Sequence, residues 1–203
     1  MPIAEWDAND MPRYPTGYHH FNCEGTMLLK QPDVVMLMFL LPDEYSLDTR
    51  RVNYEFYEAR TLHKSSLSPA IHAIVGLNVG DRGTADRYFA RSAYVDLDDN
   101  QGNTEDGMHI ASAGGTWQVA VHGFGGFQLS HGRFHFNPRL PQGWQRLRFA
   151  VQRQGLTVRA DLSHDDSRFE LTGPPGSKET IVVLGSEVTL RPGVPVVIDA
   201  SHP

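Results

Sequence analysis

The sequence holds one cysteine, Cys23, so no internal disulfide framework is available. A single thiol fits a reducing, cytoplasmic setting, and a secreted protein without disulfides would read the same way. Long apolar runs are missing too. The longest, Val34 to Leu41, falls far short of the roughly 18–20 residues that span a bilayer. The opening MPIAEWDAND carries acids and no apolar segment, so no secretory leader is expected. Positive charge is scarce: 18 Lys and Arg stand against 24 Asp and Glu, a net charge of −6. That removes the basic face that nucleic-acid binding needs. There is no G-x-S-x-G elbow, no Walker loop and no G-x-G-x-x-G turn. His19, His20 and Cys23 lack the spacing of a zinc set, so neither metal nor cofactor is expected. What remains is an ordinary globular composition over 203 residues, enough for one or two domains.

Helix signals fill the first part of the chain. Gln31-Pro32-Asp33 opens one helix, VVMLMFLL follows, and Pro42 ends it. Its apolar surface runs all round, which predicts burial on every side. Ser46 caps a second helix from about Leu47 to Glu58, with Leu47, Val52 and Phe56 on one stripe. Ser68-Pro69 starts a third as cap and first residue, and Gly80 suits its end. A fourth is expected over about Thr84–Val95 and a fifth over about Ala111–Val121. Gly114 and Gly115 in the fifth suggest close approach of another group.

From about Gly123 the period changes to two. FQLSHGRFHF reads as a hairpin turning at His131-Gly132, and further short alternating runs follow between Gly and Pro turns. The fold class is therefore helices, then an antiparallel β-sandwich.

The linkers after the first and third helices are short, which makes neighbouring helices antiparallel. Helices one, three and five then start at one end. Three segments should line that rim: Lys30-Gln31, Glu58 to Ser68, and Asp96 to His109. EARTLHKSSLS gathers Arg, His, Lys and hydroxyls before a helix start, where free N–H groups favour an anion such as phosphate. The plainer alternative makes Ser65, Ser66 and Ser68 capping residues and His63 a surface residue.

These same segments carry a family resemblance. LLKQPDVVMLMFLLPDEYS, YEFYEARTLHKSSLSPAIHAI, DLDDNQGNTEDGMHIASAGGTWQ and FGGFQLSHGRFHFNPRLPQGWQRLRF resemble the C-terminal third of glycoside hydrolase family 65. That family includes maltose, trehalose, kojibiose and nigerose phosphorylases. The resemblance implies part of an (α/α)₆ barrel over residues 1–125, with about five helices, and a C-terminal β-sandwich over 126–203. It implies inverting phosphorolysis of an α-linked glucose disaccharide, with inorganic phosphate as co-substrate and no cofactor.

Residue by residue, the resemblance implies that Lys30 and Gln31 hold glucose hydroxyls on the cleaved side. It gives Glu58 the leaving-side sugar, and Ser65, Ser66 and His109 the phosphate. Ala59 departs from the proline common there. The family's general acid is expected upstream of Lys30, so no catalytic residue is expected within this chain. An N-terminal portion of the enzyme is the expected partner, and many relatives are homodimers. A family 65 hydrolase and a non-catalytic sugar-binding module are the alternatives. The SSLS hydroxyls favour phosphorylase over hydrolase, which would need a carboxylate base there.

Overall fold

The computed structural model describes residues 6, 12, 14–19, 22–63 and 65–199. His20 and Lys64, both singled out above, lie outside them. The chain forms two compact units, Met1–Val119 and Ala120–Pro203.

Five helices build the first unit: α1 (Asp33–Leu40), α2 (Leu47–Glu58), α3 (Ser68–Val79), α4 (Arg82–Ala93) and α5 (Ile110–Gln118). Their starts follow local chemistry. The Ser46 hydroxyl accepts the Thr49 N–H, and Asp81 accepts that of Thr84, so each satisfies a donor the helix leaves free. Gly80 ends α3 in the left-handed region at φ 99°. Ser68 differs from expectation. It is the first residue of α3 rather than its cap, and its hydroxyl bonds His63 instead. The fourth helix starts two residues earlier than expected because Asp81 takes the cap.

Burial also departs from the sequence reading. α3 is the enclosed helix, with every residue from Ser68 to Leu77 buried. It touches α1, α2, α4 and α5. α1 buries Val35 and Met38 but exposes Leu37 and Leu40, and Leu41 just after it is exposed too. In α2, Tyr54 faces inward, joining Val35, Ile71 and Val75 in one core, while Leu47, Val52 and Phe56 are exposed. Among the described residues α1 packs mainly against α2 and α3, which leaves its other faces uncovered. Gly115 marks one neighbour of α3. A Cβ there would stand 2.8 Å from that of Ala70, so the missing side chain lets α5 close on α3, whereas Gly114 has open space around it.

A π-helical segment, Val119–Phe124, follows α5 in the sequence. Eight strands follow: β1 (Phe127–Ser130), β2 (Arg133–Phe136), β3 (Leu147–Arg153), β4 (Leu156–Leu162), β5 (Asp166–Thr172), β6 (Glu179–Val183), β7 (Ser186–Leu190) and β8 (Val196–Asp199). They form two four-stranded sheets, in the orders β1-β2-β6-β7 and β3-β4-β5-β8. All pairs are antiparallel except β2–β6, which is parallel. The β1–β2 hairpin turns at His131 and Gly132, both at positive φ, as a two-residue turn requires.

Alternating residues from both sheets meet in one core. Phe134, Phe136, Ile181 and Leu190 come from the first sheet, and Val158, Leu162 and Phe169 from the second. Gly126, at φ 61°, sits against the backbone of Asn137 so closely that a Cβ would lie 1.9 Å from its carbonyl oxygen. The Asn137 N–H donates to the Gly126 carbonyl at 3.1 Å.

Candidate functional site

One short backbone clamp organises the site. Leu29, just before α1, pairs with the segment that leaves α2. Its N–H donates to the Arg60 carbonyl at 2.9 Å, and its own carbonyl accepts the Leu62 N–H at 2.8 Å. The two strands run parallel there. Lys30 and Gln31 follow immediately and are exposed. Gln31 lines a hollow of about 120 Å³ with Leu29, Pro32, Tyr57 and Thr61. The clamp thus brings the Lys30-Gln31 segment beside the one that carries Glu58.

Glu58 ends α2 and turns into a polar cluster. The Tyr88 hydroxyl, from α4, donates to Oε1 at 2.5 Å. His72 Nδ1, from the buried α3, bonds Oε2. His63 Nε2 lies 3.4 Å from the same oxygen, close enough for charge attraction but without hydrogen-bond alignment. His63 Nδ1 meets the Ser68 hydroxyl at 3.0 Å. The three rings pack edge to face or tilted, with His63–Tyr88 centroids 4.3 Å apart and His63–His72 4.5 Å apart. Both histidines and Tyr88 are fully buried, whereas the Glu58 side chain keeps 17% of its exposure.

The electrostatics follow from that packing. Burial pushes the Glu58 carboxyl up, but its electrostatic interactions with His63 and His72 outweigh it and hold the group below the usual carboxylate range. Burial and the neighbouring His72 push His63 down to about 4, against the pull of Glu58. His63 is therefore neutral at pH 7. With its proton on Nε2, it turns a positive edge toward Glu58 and lets Nδ1 accept from Ser68. Burial, with Glu58 adding to it, raises the Tyr88 hydroxyl well above its ordinary value, so it stays a donor.

Glu58, His63 and His72 each offer a ligand atom within 4.8 Å of the others. A metal ion spans that distance. However, His72 and Glu58 are in direct hydrogen-bond contact, closer than two ligands of one tetrahedral zinc stand at bond lengths of about 2.0–2.2 Å. The pair stands here as a hydrogen bond between His72 and Glu58.

The remaining site residues sit in two places. Ser65 and Ser66 are half-buried before α3, where Ser65 Oγ accepts the Leu67 N–H at 3.3 Å. His109 precedes α5. Its Nδ1 contacts Asp96 Oδ1 at 2.6 Å, and its backbone N–H donates to Oδ2 at 2.8 Å. Those bonds hold Asp96 below its ordinary range, the His109 hydrogen bond being the main cause. His109's bonds run to this carboxylate rather than to the serine segment. The sequence reading missed His72 and Tyr88, and its plainer alternative put the buried His63 on the surface. One signal was present: a histidine inside the apolar run AIHAIV needs a polar partner.

Comparison with known proteins places these features. The model for the glycosyl hydrolase family 65 central catalytic domain matches residues 5–118, and the model for that family's C-terminal domain matches 127–190. A kojibiose phosphorylase of Caldanaerobacter subterraneus subsp. tengcongensis is 47% identical over 190 residues, covering 93% of this chain and 24% of the relative. An α,α-trehalose phosphorylase of Geobacillus stearothermophilus is 34% identical over 197 residues, covering 95% and 26%. A solved structure from the human microbiome, provisionally described as a kojibiose phosphorylase, superposes with a TM-score of 0.83 at 30% identity. That match covers 92% of this chain and 27% of the other. The chain thus spans about a quarter of the length of the relatives it matches. With both domain models matched in order, and the first over more than half its length, the chain belongs to glycosyl hydrolase family 65.

Proposed function

We propose that this chain supplies sugar- and phosphate-binding residues to an inverting disaccharide phosphorylase that cleaves an α-linked glucose disaccharide. The observation that carries the reading is the Leu29 clamp, because it supports a shared edge for Lys30-Gln31 and the Glu58–Ser66 segment. In this reading residues 1–125 belong to the catalytic barrel and 126–203 form the sandwich domain.

Inorganic phosphate attacks the anomeric carbon from the face opposite the leaving sugar. The bond from that carbon to the glycosidic oxygen breaks, an acid protonates the departing oxygen, and β-glucose 1-phosphate forms. Phosphate replaces the water and general base of an inverting hydrolase. Lys30 and Gln31 hold hydroxyls of the glucose being transferred, and Glu58 accepts hydroxyls of the leaving sugar. Ser65, Ser66 and His109 hold phosphate in line for attack, which lowers the barrier by removing orientational freedom. Asp96 accepts from His109 Nδ1–H and so orients the ring, leaving Nε2 to accept the P–OH of a monoprotonated phosphate. Glu58 is unsuited to donate the proton, since two histidines keep its carboxyl ionised.

The test is a chimaera in which these residues replace the matching quarter of the Caldanaerobacter kojibiose phosphorylase. Kojibiose should give glucose 1-phosphate only when phosphate is present. Release of free glucose at the same rate with and without phosphate would overturn the reading in favour of a hydrolase. A folded chimaera that binds kojibiose without turnover would overturn it in favour of a binding module.

A further inference from the structure

The Glu58 carboxylate is gripped on both oxygens from two different helices. Tyr88 of α4 holds Oε1, and His72 of α3 holds Oε2. An ionised carboxylate has about four acceptor positions. This grip uses one on each oxygen, and His63 Nε2, 3.4 Å from Oε2, is not aligned to take a second, so one is left on each. The supporting groups are fully buried, so only Glu58, with 17% of its side chain exposed, is left to meet a ligand. The ring of His72 is costly where it lies, because its Nε2 is buried without a partner among the described residues. An apolar side chain would fill the same place without that cost. The histidine therefore serves Glu58 rather than packing alone.

The charge of the group selects its ligand. A carboxylate that accepts on both oxygens repels phosphate and cannot donate. Its complement is a pair of neutral donors on neighbouring atoms, as in the vicinal hydroxyls of a hexose. We propose that His72 and Tyr88 are positioning residues that fix the Glu58 carboxylate as a two-point acceptor for adjacent hydroxyls of a glucose unit. The inference rests on the sugar-binding role proposed above for Glu58.

The experiment uses the 203-residue chain carrying ¹³C-labelled glutamate and ¹⁵N-labelled histidine, read by NMR. In the native chain the Glu58 carboxyl signal should stay in its ionised position well below the pH at which ordinary glutamates titrate. Tyr88→Phe and His72→Leu should each raise its midpoint by at least about one pH unit, as loss of a hydrogen bond to a charged group implies. His72→Gln, which restores an N–H donor, should recover part of the shift. D-Glucose should move the Glu58 signal, with affinity falling about tenfold in Tyr88→Phe. If Glu58 titrates at one pH in the native chain and in both variants, the positioning role is overturned. Tyr88→Phe is the milder change and keeps the test open should His72→Leu fail to fold. If the midpoints shift but glucose leaves the Glu58 signal unmoved, the sugar assignment falls while the grip on the carboxylate stands. Equimolar zinc that abolishes the Glu58 titration and shifts both imidazole signals overturns the proposal in favour of a metal centre.

Discussion

Replacing Gly126 by alanine should cripple the sandwich, and replacing Gly132 should not. Both glycines have positive φ, 61° and 72°, so alanine meets left-handed backbone strain of about 1–2 kcal/mol at either site. Their surroundings differ. Nothing lies within 4 Å of a Cβ placed on Gly132. On Gly126 it would stand 1.9 Å from the Asn137 carbonyl oxygen, 2.3 Å from its carbon and 2.7 Å from its nitrogen, where ordinary contact begins near 3.4 Å. Those atoms are backbone and cannot rotate aside. Asn137 must retreat, giving up its 3.1 Å hydrogen bond to Gly126. Adding about 1 kcal/mol for that bond and about 1–3 for forced repacking puts Gly126→Ala at about 3–6 kcal/mol, a large share of a typical domain's stability. Urea unfolding, followed through the methyl signals of Val158 and Ile181 in the sandwich core, measures both variants. If the two lie within about 0.5 kcal/mol of each other, the close approach is not what requires Gly126, and the reasoning fails.

Two further outcomes follow from the first unit. His63 keeps its neutral form down to about pH 4 in the fold, whereas an unfolded histidine titrates near 6.5. Between those values the unfolded chain binds the extra proton, so stability falls as pH drops, by about 3 kcal/mol across the window. Urea unfolding at pH 7.5 and 4.5 should show a flatter dependence in His63→Asn than in the native chain, and equal slopes would refute the assignment. In the chimaera, Asp96→Asn frees the His109 ring and should raise KM for phosphate several-fold with KM for kojibiose unchanged, whereas matching rises in both would place His109 on the sugar side.

Local chemistry made much of the fold legible. Ser46, Gly80 and His131-Gly132 mark ends and turns through bonds and φ angles that their own neighbours decide. Properties set by distant neighbours were not legible. VVMLMFLL and AIHAIVGLNV are both apolar, yet only the second is wrapped by four helices. The parallel β2–β6 pair joins strands separated by three others in sequence, and no local pattern announces it. The site divides in the same way. Lys30, Gln31, Glu58, Ser65, Ser66 and His109 came from contiguous motifs. Tyr88 and His72 lie 30 and 14 residues from the carboxylate they hold, a distance that only packing closes.

The Leu29 clamp also turns α2 into a gauge. Arg60 is pinned two residues after Glu58, and Leu62 two residues later. One residue inserted between Glu58 and Arg60 would rotate the helix end by about 100° and swing the carboxylate out of reach of α3 and α4. Side chains around the carboxylate can therefore be exchanged one at a time, while the number of residues from Glu58 to Leu62 is fixed by geometry.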